Sequence, residues 1–269
     1  MVHSIFLDFD GTLAEHGEVP PAHMEAVAAA RRAGHQVFLC TGRPKAFVPD
    51  RFLHGIFDGL VCAGGGYVEI DGQVLADIRF PPDVAARTTE LLVRHDVMFI
   101  LEATDRILTS RPSAERLRAF FARMTINGDD ALPDIEPHDD LGACSFGKVS
   151  IMDSPVMVDD LARLIGPEVG ALPSSITGGS GHAGELYLRG VDKSFGIATV
   201  ERHLGLDRAD IIAIGDGMND LEMIAYAGTG IAVDGAPPEV LAVAQRVIPG
   251  PTDEGVARLF TDLGLTIPG

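Results

Sequence analysis

Four short segments, spread along the chain, each carry polar groups suited to moving a phosphoryl group: Asp8-Phe9-Asp10-Gly11-Thr12, Thr41-Gly42-Arg43, Lys193, and Gly215-Asp216-Gly217-Met218-Asn219-Asp220. Two carboxylates this close can divide such a reaction, one attacking phosphorus and the other moving the proton. The later acidic pair, Asp216 and Asp220, offers the hard oxygen atoms that Mg²⁺ prefers, and the glycines beside it let backbone come close to a ligand. Thr41 offers a hydroxyl, and the amides that follow it offer a seat for an anion. Lys193 adds a positive charge.

These groups must reach a common rim, and the apolar runs that precede them say how. Ile5-Phe6-Leu7 leads into Asp8, Val37-Phe38-Leu39-Cys40 into Thr41, and Ile211-Ile212-Ala213-Ile214 into Gly215-Asp216. Short apolar runs that end in a polar or glycine turn are the pattern of buried parallel strands, whose carboxyl ends form the ligand crevice. Between the first two runs, residues from Pro21 to Ala33 read as a helix stopped by Gly34, which makes the pair a right-handed crossover with both motifs on one edge. Leu60-Val61-Cys62 reads as a further strand, and Asp71-Gly72 as a hairpin turn between Tyr67-Ile70 and Gln73-Leu75.

Beyond Pro81-Pro82, read as a linker, the pattern changes to a mixed block. Helices are expected near Asp83–His95, Pro112–Met124 and Pro155–Ile165, and strands near Val97–Leu101, Ile107–Thr109, Val149–Met152, Ser174–Thr177 and Leu186–Leu188, with a polar loop over Asn127–Asp140. After Gly190 the alternation returns: a helix from Lys193 to about His203, the strand Ile211–Ile214, a helix after Gly217, a strand at Gly230–Val233, and helices near Pro238–Gln245 and Asp253–Leu259. The expected architecture is α/β: a doubly wound, mostly parallel sheet formed by residues 1–82 and 190–269, interrupted by an inserted α+β domain at 83–189.

With 269 residues, 46% hydrophobic and 22% charged, the composition is that of a soluble globular chain. No apolar stretch reaches the length of a membrane span, and the first strand-like run starts too early for a signal peptide, so a cytoplasmic location is expected. A net charge of −18 argues against a nucleic-acid surface. It also means that an anionic substrate needs a metal ion and a few placed cations. Cys40, Cys62 and Cys144 lack metal-ligand spacing and read as reduced core residues. Two glycine patterns fail on context. Gly142–Lys148 mimics a P-loop, but Val149 stands where a hydroxyl is needed and a strand-like run follows; Gly179–Gly184 fits a dinucleotide pattern but leads into another strand.

The four segments, in this order, resemble the haloacid dehalogenase superfamily of phosphohydrolases, and within it the Cof-type members with a type IIB cap. The resemblance spans the chain. It implies that Asp8 is the nucleophile and Asp10 the general acid and base, with Mg²⁺ held by Asp8, the backbone carbonyl of Asp10 and Asp216, and Asp220 in support. Thr41 and Lys193 would hold the phosphoryl oxygens, Asn219 and Gly42 would contribute to phosphate contact, and Arg43 is a candidate substrate contact. The substrate implied is a small phosphorylated metabolite, sugar phosphates first. The chain departs from the family at Ala63, where members commonly carry Asn before Gly, and at Ser194, where Gly often follows the lysine.

Two other activities use similar groups. A phosphomutase of the phosphomannomutase type shares the core and cap but needs a bisphosphate activator and retains phosphate. A receiver-like phosphoacceptor domain also uses Asp, Thr, Lys and Mg²⁺, but its acidic pair precedes a separate acceptor Asp and it has no large insertion.

Overall fold

Short buried strands separated by helices build the first sheet as the apolar runs predict. The computed structural model describes residues 2–122, 135–173 and 181–266. In it, β1 (Ser4–Leu7) and β2 (Gln36–Cys40) pair in parallel, joined by α1 (Pro21–Arg32). All four residues of β1 are buried, as befits a strand covered on both faces. Pro21 opens α1 where its missing N–H leaves no bond unmade, and Gly34 lies just past its end at φ 95°. A short α2 (Asp50–Leu53) precedes β3 (Gly59–Cys62), which extends the parallel set beside β2. β4 (Tyr67–Ile70) returns antiparallel, and β5 (Gln73–Asp77) follows across Asp71-Gly72, both at positive φ as the tight hairpin turn requires.

The middle of the chain contributes α3 (Pro82–Arg94), β6 (Met98–Glu102), β7 (Ile107–Thr109), α4 (Arg111–Phe121), β8 (Ile135–Pro137), β9 (Lys148–Asp153), α5 (Val158–Ile165), β10 (Val169–Pro173) and β11 (Gly184–Leu188). The last third adds α6 (Lys193–Leu204), β12 (Ile211–Gly215), α7 (Leu221–Tyr226), β13 (Thr229–Val233), α8 (Pro238–Val243), β14 (Arg246–Ile248) and α9 (Gly255–Asp262).

Packing separates two compact units. The first comprises Met1–Arg43, Asp50–Ala76 and Asp192–Gly269, and the second Pro44–Pro49 and Asp77–Val191. The sheet order of the first is β14-β13-β12-β1-β2-β3-β4-β5, parallel from β14 through β3. The order reverses direction between β1 and β12, the place where doubly wound sheets open their crevice. Phe6, Phe38, Val61, Ile197, Ile211 and Ile224 form part of its core. The second unit has a sheet in the order β10-β11-β9-β6-β7-β8, antiparallel except for β7 with β8, and its own core around Phe99, Leu101, Phe146, Val149 and Leu161.

Several elements differ from the sequence expectation. Pro81 and Pro82, expected as a linker, stand immediately before α3 and at its first position. β8 lies inside the segment expected to be a polar loop. α5 starts three residues late because Ser154 Oγ accepts a hydrogen bond from the Val156 N–H, a local turn that competes with the helix. The helix expected over Pro238–Gln245 ends at Val243, and the sequence reading has no strand where β14 follows: the Gln245 N–H donates to the Gly230 carbonyl and its side-chain oxygen accepts from the Gly230 N–H, which draws the chain onto the sheet edge. The strand expected at Ser174–Thr177 and the end of the helix expected to reach Met124 lie outside the described residues. Both rejected glycine patterns run into strands, Lys148 opening β9 and Gly184 opening β11. None of the three cysteines forms a disulfide, and all are buried. No helix among the described residues is long and apolar enough to cross a membrane.

Candidate active site

Asp8 follows β1 directly, and its N–H prolongs the strand pairing by donating to the Ile214 carbonyl at 2.9 Å. The chain then turns back on itself. The Leu13 N–H reaches the carbonyl oxygens of Asp8 and Phe9 at 3.3 and 3.1 Å, that of Ala14 reaches Phe9 at 2.8 Å, and that of Gly11 reaches Ala14 at 2.8 Å. Gly11 has φ 86°, and a Cβ on it would overlap the Asp216 carboxylate, so both backbone and space require glycine here. Thr12 Oγ1 donates to Asp216 Oδ1 at 2.9 Å and ties the turn to the loop after β12.

Lys193 is the first residue of α6, capped by Asp192, whose carboxylate accepts from the Phe195 N–H. The ammonium group is fully buried and donates to Asp8 Oδ1 at 2.5 Å and to Asp220 Oδ1. The glycines after β3 allow this. Gly65, at φ 101°, lies so close to the Asp192 carbonyl that a Cβ would overlap it, and Gly196 packs on Val61 and Gly65. Ala63 opens the same loop at φ 52°, a left-handed conformation that costs an alanine about 1–2 kcal/mol. Glycine avoids that cost but adds freedom to the unfolded chain, so Ala63→Gly should raise stability in urea by about 0.5–1 kcal/mol. An unchanged or lower midpoint would mean that the loop relaxes around alanine.

Asp220 is buried and uses both oxygens within the fold: Oδ2 accepts from the N–H groups of Asp216 and Gly217 at 2.9 and 2.8 Å, and Oδ1 receives Lys193. A Cβ on Gly215 would strike the Asp220 side chain, another close approach that glycine permits. Asn219 Nδ2 lies 3.1 Å from the place a Cβ on Gly42 would take, so this glycine brings the loop after β2 against the loop after β12. Thr41 is buried at the end of β2, its N–H bound to the Val61 carbonyl and its Oγ1 accepting from the Arg43 N–H at 3.1 Å. Arg43 grips both oxygens of Asp10, at 2.7 Å through Nε and 2.6 Å through Nη2, and lies over the Phe9 ring.

Asp8, Asp216 and Asp220 each offer an oxygen, and these atoms lie within 4.8 Å of one another. The Asp10 carboxylate is engaged with Arg43 instead. Thr12, whose hydroxyl orients Asp216, has no role that the sequence alone assigns; its place beside Gly11 in the first motif is the available signal.

Charge is crowded here. Burial, and then the neighbouring Asp220 and Asp216, push the Asp8 carboxyl well above the usual range against the pull of Lys193. Burial and Asp220 raise Asp216 to about 6, opposed by the Thr12 hydrogen bond and Lys193. Burial works against the Lys193 cation, but Asp220 and Asp8 more than offset it and hold the ammonium above its usual range. Burial also pushes the Cys40 thiol up, so it stays protonated. Three acids facing one cation leave the cluster short of positive charge, and an oxygen-seeking divalent ion fits that deficit.

A pH dependence follows with a definite sign. A carboxyl raised from 3.8 to about 6 on folding adds stability below pH 3.8 and loses it as pH rises through about 6. The shift of about two units corresponds to roughly 3 kcal/mol. In the absence of divalent ions, wild type should lose stability relative to Asp216→Asn between pH 4 and 7, and millimolar Mg²⁺ should stabilise wild type more at pH 7 than at pH 5. Equal Mg²⁺ effects at both pH values in thermal melts would refute this coupling of proton and metal.

Residues 5–260 match the family model described as haloacid dehalogenase-like hydrolase. The chain is 27% identical over 271 residues to a phosphoglycolate phosphatase of Archaeoglobus fulgidus, with 97% of each chain covered. It is 25% identical over 202 residues to the 5-amino-6-(5-phospho-D-ribitylamino)uracil phosphatase YbjI of Escherichia coli, over 73% of this chain and 70% of that one. Its fold is similar to that of a solved haloacid dehalogenase subclass IIB sugar phosphatase, BT4131, with a TM-score of 0.81 and 21% identity, covering 98% of this chain and 100% of the other.

Proposed function

Because the chain belongs to the haloacid dehalogenase-like hydrolases, we propose that it is a Mg²⁺-dependent phosphatase that hydrolyses small phosphorylated metabolites through a phosphoryl group carried on Asp8. The observation that carries this reading is the buried contact of Lys193 with Asp8 beside the Asp216 and Asp220 carboxylates. An oxygen of Asp8 attacks phosphorus, the ester P–O bond breaks, and the leaving oxygen takes a proton from Asp10. Asp10 then takes a proton from water, the water oxygen attacks phosphorus, the bond to Asp8 breaks and inorganic phosphate leaves. Lys193, Thr41, the Gly42 amide and Asn219 hold the phosphoryl oxygens while charge redistributes. Arg43, which grips Asp10 here, has an anionic substrate as an alternative partner.

Asp8, Asp216 and the backbone carbonyl of Asp10 would hold Mg²⁺, with Asp220 in support, and the bound ion would supply the positive charge that lets an anionic nucleophile meet an anionic ester. Residues 83–189 are read as the cap that distinguishes substrates within a core of 1–82 and 190–269. Relatives that act on phosphoglycolate and on 5-amino-6-(5-phospho-D-ribitylamino)uracil, and a structurally similar sugar phosphatase, suggest small phosphate esters as substrates, and sugar phosphates are the first class to try. Such a role suits a cytoplasmic enzyme.

Inorganic phosphate released from a panel of sugar, nucleotide and cofactor phosphates, with Mg²⁺ and with EDTA, tests the reading. Metal-dependent release from at least one small ester is expected. Isomerised product with no phosphate released would replace it with a mutase.

A further inference from the structure

His23 lies in the first turn of α1 and is fully buried. Its Nδ1 is 2.9 Å from the Leu13 carbonyl oxygen, so Nδ1 carries the proton and donates it. Nε2 makes no hydrogen bond of good geometry, although the Glu254 backbone lies near enough to the ring to favour its cation. A buried ring with one nitrogen unsatisfied is costly, and an apolar side chain of similar volume would avoid that cost. Burial holds the imidazole below the usual histidine range, against the Leu13 and Glu254 backbone and the Glu254 carboxylate, which favour the cation.

What the ring secures is Leu13. The Leu13 N–H closes the catalytic turn onto the Asp8 and Phe9 carbonyls, while its own carbonyl is taken by His23. The peptide units on both sides of Leu13 are thereby tied, one to the end of β1 and the other to α1. Asp10 and Thr12 ride on the loop that the Leu13 N–H closes onto the Asp8 and Phe9 carbonyls. Side chains already tie this turn at Asp8 through Lys193, at Asp10 through Arg43 and at Thr12 through Asp216, and His23 adds a tie to its backbone at Leu13.

We propose that His23 is a positioning residue for the phosphoryl transfer: by holding the Leu13 carbonyl from α1 it fixes the Asp8–Ala14 turn and so the placement of Asp10 and Thr12. The catalytic part of this inference rests on the phosphatase reading; the structural part does not. Asn places an amide donor at the same number of bonds from the backbone as Nδ1, Gln places it one bond farther, and Leu has none. Per folded molecule, His23→Leu and His23→Gln should lower kcat about tenfold with KM within about twofold, and His23→Asn should come within about threefold of wild-type kcat. Wild-type kcat in His23→Leu, a loss confined to KM, or equal impairment of the Asn and Gln variants would overturn the proposal. If His23→Leu does not fold, the Asn and Gln comparison decides.

Amide hydrogen exchange across residues 8–14 needs no substrate. Exchange about tenfold faster in His23→Gln than in His23→Asn supports the tether. Equal rates refute it, whether or not any phosphate ester is hydrolysed.

Discussion

Asp8→Asn should abolish phosphate release, by about ten-thousand-fold or more, while leaving the metal-free protein at least as stable as wild type. The two effects share one origin. Asp8 is 4% exposed and faces Asp220 and Asp216, so its carboxyl is pushed well up in the metal-free fold. Asparagine keeps the shape and removes the charge, and Lys193 keeps its second partner, Asp220. The same change removes the anionic oxygen that attacks phosphorus. Steady-state phosphate release and thermal midpoints in EDTA measure both. Activity within a hundredfold of wild type would exclude Asp8 as the nucleophile, and a midpoint several degrees lower would show that the carboxylate stabilises the fold.

Replacing the buried lysine acts in the opposite direction on stability. Lys193→Met leaves the Asp8 and Asp220 carboxylates without their shared cation in a buried site, and breaking such a pair from one side costs about 3–5 kcal/mol. Turnover should fall about a thousandfold, because the charge that receives the phosphoryl oxygens is gone. Urea denaturation reads the first effect and phosphate release the second. Adding Asp8→Asn to Lys193→Met should return part of the lost stability, since it removes one of the unpaired charges. If the double variant is no more stable than Lys193→Met alone, the carboxylates are not what the lysine compensates.

Much of this site could be read from residue order because each motif follows a strand without delay. Ile5–Leu7, Val37–Cys40 and Ile211–Ile214 are apolar throughout, and their parallel pairing brings Asp8, Thr41 and Asp216 to one edge. Lys193 was less visible. Its cap, Asp192, is a local signal, but the burial of its ammonium depends on Gly65 admitting the Asp192 carbonyl, a contact between segments far apart in the chain. The same holds for the grip of Arg43 on Asp10 and for His23, a histidine in an ordinary amphipathic helix until Leu13 is seen against it. The missed strands β8, β10 and β14 lie at sheet edges, where pairing partners rather than local composition decide, and β8 and β14 have only three residues each. Gln245 shows this directly, since its contacts with Gly230 end a helix that its sequence would continue.

The central claim is that phosphate passes through Asp8. Mixing the enzyme with an ester radiolabelled in its phosphoryl group, quenching in acid within the first turnover and mapping the label by peptide tests it most directly. The account predicts a hydroxylamine-labile label on the peptide that carries Asp8, absent in Asp8→Asn and absent in EDTA. Full turnover with no labelled peptide at any quench time, or a label on another residue, would contradict it.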